Sequence, residues 1–98
     1  MASIKVPDAI KAHGFFAVDD QGNTRAVLGV DPSGTPVLGM YDTQGNARIG
    51  LGVNTDGTLG LVLTDAQKNK RAMLGMNADG APMLGILDAQ GNCVWAAP

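Results

Sequence analysis

Aromatic residues make up only 4% of the 98-residue chain, charged residues 16%, and cysteine occurs once. The single cysteine, Cys93, excludes an intramolecular disulfide, and without a CxxC pair no zinc or dithiol motif exists. Few charges and a net charge of -2 leave no basic stripe of the kind nucleic-acid binders carry, so no nucleic-acid partner is expected. No run approaches the roughly 20 apolar residues of a membrane span. The opening MASIKVPDAIKAHG lacks a basic segment followed by an apolar stretch, so it does not read as a secretory signal. The default expectation is a reducing, cytoplasmic setting. Hydrophobic residues at 45% exclude a disordered tail, and the length suits one domain. Glycine is the exception to scarcity, with 14 copies that do not recur every third residue as in collagen.

The glycines belong to a repeat. Tetrads of Asp or Asn, two residues and Gly begin at Asp19, Asp31, Asp42, Asn54, Asp65, Asn77 and Asp88, with Lys68 in the glycine place of the fifth. Their starts advance by 12, 11, 12, 11, 12 and 11, so the true period is 23 residues in two unlike halves. Asp or Asn at the first position can bond the backbone two residues on, and Pro32 pre-sets φ at the second. Gly at the fourth accepts the left-handed conformation that ends a bulged hairpin turn.

Segments of Val, Leu, Ile, Met and Gly between the turns have strand length. The pattern predicts an all-β fold: an eight-stranded antiparallel meander with strands near 13–18, 24–30, 36–41, 47–53, 59–64, 70–76, 82–87 and 93–97. A β-solenoid with 23-residue coils is the competing reading. Residues 1–14 form an N-terminal segment and 15–98 the β-repeat domain. Because 23 is odd while side chains alternate with period two, one turn class must hold an even loop and the other an odd one. The DPSG class is assigned a three-residue loop and the D-x-Q-G-N class a four-residue loop, which sets Arg48 opposite Tyr41 and Arg25 opposite Val18.

This pairing collects Phe15, Leu28, Leu38, Leu51, Leu61, Leu74, Leu84 and Trp95, with other apolar residues, on a face that reads as a core. The opposite face carries Val27, Gly29, Val37, Gly39, Gly52, Gly60, Met73, Gly75, Met83 and Gly85, and is the candidate assembly face. Gly within a strand marks a bend or a close backbone approach. A single open sheet with an exposed Leu face does not persist in water. The sheet must therefore close as a barrel or join others as an oligomeric β-prism, and the two apolar faces favour a closed homo-oligomer such as a trimer.

No constellation for catalysis or cofactor binding is found. Arg25, Arg48 and Arg71 recur every 23 residues; they form either a row of cations for an anionic ligand or strand-end residues paired with Asp19, Asp42 and Asp65. The repeated Asp residues lack the several converging oxygen donors of a calcium loop and read as turn caps. His13 has no companion at metal spacing, and neither Ser3 nor Ser33 has a base beside it. Active sites are asymmetric, whereas this chain repeats one solution, so a non-enzyme is expected.

The ends depart from the repeat. Pro7–Ala12 can form a short helical turn with Gly14 beyond it, and Ile4, Val6 and Ile10 could cover an open end of the core or begin a partner contact. Trp95 reads as a plug for the last core layer. Lys68 marks a broken turn, and KNKR around it a solvated basic tip. The units QGNTRAVLGVDPSGTPVLGMYD and GNCVWAAP resemble uncharacterised bacterial repeat proteins in which D-x-x-G-x-x-R-A-x-L-G units alternate with D-G-x-P-x-L-x-L-x-D and end in V-W-x-A-P. The resemblance covers about residues 15–98 and implies a β-repeat module, in some members preceded by a stalk. It implies no activity and no site residues. The function expected is that of a self-assembling structural or scaffolding module; the alternative is a small barrel around an apolar ligand.

Overall fold

Seven turns of one geometry shape the chain in the computed structural model, which describes residues 5–98. In each, the amide of the first residue donates to the carbonyl of the fifth, and the amide of the fourth donates back to the first. Asp19 N–H to Asn23 O (2.9 Å) and Gly22 N–H to Asp19 O (3.0 Å) are one example. Six of the fourth positions are Gly with φ between 83° and 91°.

Between the turns run β1 (Gly14–Val18), β2 (Thr24–Val30), β3 (Pro36–Tyr41), β4 (Ala47–Val53), β5 (Leu59–Thr64), β6 (Lys70–Met76), β7 (Pro82–Leu87) and β8 (Cys93–Ala97). They form one antiparallel sheet in chain order. The meander is observed, not the solenoid. Leu28 pairs with Leu38, Leu38 with Leu51 and Leu51 with Leu61, as the spacing predicts.

The parity problem is solved differently from the expectation. Both turn classes hold the same three-residue loop, since Asp31 closes on Thr35 just as Asp19 closes on Asn23. The extra residue sits one pair beyond each D-x-Q-G-N turn. Val18 pairs with Thr24 but Ala17 with Ala26, leaving Arg25 as a β-bulge. Arg48 and Arg71 occupy the same place in β4 and β6, and Val94 in β8. The Arg residues are therefore bulge residues, and Tyr41 pairs with Ala47 instead of Arg48. A bulge restores the facing because two residues oppose one.

Three further expectations are corrected. The turn at Lys68 is not broken: Lys68 adopts φ 71° and donates its amide to Asp65 O at 3.1 Å. Residues 5–13 contain no helix; Val6 and Ile10 are exposed, so nothing offsets the cost of nucleating so short a helix. Ile4 and Ser3 lie outside the described residues. Finally, β1 and β8 are edges that do not meet, so no barrel closes among the described residues.

No residue among those described is buried. The Leu face, expected as a core, is open, and Trp95 plugs nothing at 50% exposure. The radius of gyration is 16.8 Å, against about 13 Å for a compact chain of this length. The reason is geometric: one sheet has nothing to lay its apolar faces against.

Candidate assembly surface

Strand register sorts the apolar residues into two faces. Of the large hydrophobic residues left exposed, most lie on the Leu face, including Leu28, Leu51, Leu74 and Trp95. That face has three rows. The middle row is Leu on every strand from β2 to β7: Leu28, Leu38, Leu51, Leu61, Leu74 and Leu84. The flanking rows vary, from Ala26, Met40 and Ile49 on one side to Val30, Pro36 and Val53 on the other.

All ten candidate residues fall together on the opposite face. Val27 pairs with Gly39 and Gly29 with Val37; Val37 also pairs with Gly52. Gly52 pairs with Gly60 and Gly60 with Gly75. Met73 pairs with Gly85 and Gly75 with Met83. The three adjacent glycines of β4, β5 and β6 floor an apolar trough of about 850 Å³ whose lining includes Val37, Val62, Met73 and Met83. The same lining also includes Leu51, Leu61, Leu74 and Leu84 of the Leu row.

Among the in-strand glycines, two contrasting kinds stand out that spacing alone does not separate. At Gly29, Gly52 and Gly75, one per repeat, a Cβ would stand 3.3, 3.3 and 2.9 Å from the carbonyl oxygens of His13, Pro36 and Leu59. These glycines let neighbouring backbones approach within the chain. At Gly50 and Gly85 a Cβ would meet nothing within 4 Å. These two leave space that the chain itself does not use.

The turn carboxylates are committed locally. Asp19 Oδ1 accepts the amides of Gln21 and Asn23, both at 3.0 Å, and Asp42, Asp65 and Asp88 repeat the arrangement. Bonds from the Asn23, Asn46, Asn69 and Asn92 amides hold these four carboxyls below their ordinary pKa. Ser33 hydrogen-bonds Asp31 at 2.6 Å and lowers that carboxyl in the same way. Among the described residues no three acidic, His or Cys side chains converge.

The Arg row has a structural task that spacing did not reveal. Arg25 Nε donates to Tyr41 O (3.1 Å), Arg48 Nε to Thr64 O, and Arg71 Nε to Leu87 O (2.8 Å). The ladder to the next strand stops one pair short of each Arg, and the side chain bonds the carbonyl at that strand's end instead. Arg48 and Arg71 also reach Asp42 and Asp65 at 3.6 and 3.5 Å. Val94 takes the same bulge in β8, which pairs only with β7 among the described residues. The signal available in the sequence was the odd period itself.

His13 contributes its backbone carbonyl to Val30 at 2.9 Å, and Cys93 is a free, exposed thiol. No helix of the described residues is long and apolar enough to cross a membrane. No protein-family model matches the chain, and no curated protein matches it.

Proposed function

We propose that the chain is a non-catalytic, self-assembling structural module whose working surface is its Leu face and whose partner is itself. One observation carries this reading: an apolar sheet of eight strands with no buried residue. The chain exposes 7561 Å², whereas a compact monomer of its mass exposes about 5,200 Å². The excess is what an obligate interface covers on each subunit. Polar groups are concentrated at the turns, so assembly through the Leu face leaves them in water. Mass in solution tests the reading. A multiple of the chain mass that persists on dilution is expected; a stable monomer at micromolar concentration removes it.

The trough supports a second reading, binding of a small apolar ligand on the glycine face, because its volume falls within the range of ligand sites. Saturable one-to-one uptake of a hydrophobic dye, abolished by Val62→Glu without change in mass, would favour that reading.

A further inference from the structure

We propose that three copies of the chain pack their Leu faces around a three-fold axis that runs along the Leu row, across the strands, forming a triangular prism. The inference rests on the self-assembly reading and adds how the copies are arranged.

The first support is the Leu row. Six consecutive strands place the same residue type at mid-strand, while the rows on either side change from strand to strand. A row that is uniform through the sheet calls for surroundings that repeat at every level. A rotation axis parallel to the row supplies them, since each Leu then meets its own counterparts.

Strand length fits a three-copy prism whose strands run across the axis. The longest strands have seven residues and span about 23 Å. An equilateral prism with that side places its walls about 6–7 Å from the axis, close to the half-spacing of about 5 Å between packed sheets. Mid-strand side chains come nearest the axis and fill it with Leu. Turning the sheet so that strands run along the axis makes the wall about 34 Å wide. The walls would then stand about 10 Å from the axis, beyond the reach of Leu.

Charge placement agrees with this arrangement. Asp and Asn residues of the turns occupy both ends of the strands, which become the three solvated corners. The glycine face points outward.

Sedimentation velocity of the intact chain is expected to give three chain masses. Single-cysteine variants Leu28→Cys, Leu51→Cys and Leu74→Cys, each with Cys93→Ser, then report the axis through a short bismaleimide cross-linker. Each variant, confirmed trimeric beforehand, should cross-link with itself. The dimer yield should level off at about two of every three chains, the ceiling that closed three-fold symmetry sets. Leu28→Cys mixed with Leu74→Cys should give no mixed product, because β2 and β6 lie about 19 Å apart along the sheet.

A mass of two chains, or mixed Leu28→Cys–Leu74→Cys products, overturns the prism while leaving self-assembly intact. A monomer overturns both. Wild-type mass decides the copy number even if every cysteine variant fails to assemble.

Discussion

A Cβ placed on Gly75 would sit 2.9 Å from the carbonyl oxygen of Leu59, on the neighbouring strand. Real Cβ atoms do not approach backbone that closely, so β5 and β6 are as near each other here as glycine permits. Gly75→Ala is therefore expected to destabilise the fold by about 1–3 kcal/mol, the usual cost of overpacking. Gly85→Ala, with open space at its Cβ, should be neutral or stabilise by a few tenths to about 1 kcal/mol through the unfolded chain. Urea unfolding of both variants at one protein concentration checks this. Equal stability of the two would contradict the close approach.

Lys68 holds the left-handed conformation that glycine holds in the other six turns. A side chain in that region costs about 1–2 kcal/mol. Lys68→Gly should raise the melting temperature, and Gly45→Lys should lower it by a similar amount. If Lys68→Gly melts below the parent protein, some contact of the lysine outweighs the backbone term.

Arg48 bonds the Thr64 carbonyl through Nε and reaches Asp42 with a terminal nitrogen. Arg48→Ala is expected to cost about 1 kcal/mol, chiefly from the lost hydrogen bond, because an exposed ion pair contributes little. Arg48→Lys should recover only part, since an ammonium cannot present both donors in that geometry. The loss should change little in high salt. A loss that vanishes in high salt would make the ion pair the main term.

Six carboxyls, those of Asp19, Asp31, Asp42, Asp56, Asp65 and Asp88, are held below their ordinary pKa. Hydrogen bonds from the turns are the leading cause, and for Asp56 the donor is the Thr58 hydroxyl. A carboxyl shifted in this direction stabilises the fold above its unfolded value near 4 and ceases to do so as pH falls through its folded value. Melting temperature should stay level from pH 7 to about 5 and fall below about 4. Asp42→Asn should weaken that acid dependence. A melting temperature unchanged down to pH 2.5 would show that the turn bonds do not need the charge.

The sequence by itself determined where the turns fall, the register at mid-strand and the two faces, because these follow from local chemistry. Asp or Asn followed by Gly at the fourth position specifies the turn, and alternation assigns each strand residue a side. The odd period announced that something must restore parity, yet a bulge and a longer loop satisfy parity equally well. Only the pairing of Val18 with Thr24 and of Ala17 with Ala26 places the extra residue at Arg25. Likewise, glycine spacing could not separate Gly75, pressed against Leu59, from Gly85, which faces open space. That difference depends on how closely two backbones approach. Tertiary structure also decided that β1 and β8 stay apart. Closure sums small twists and bends over eight strands, and no single turn encodes it.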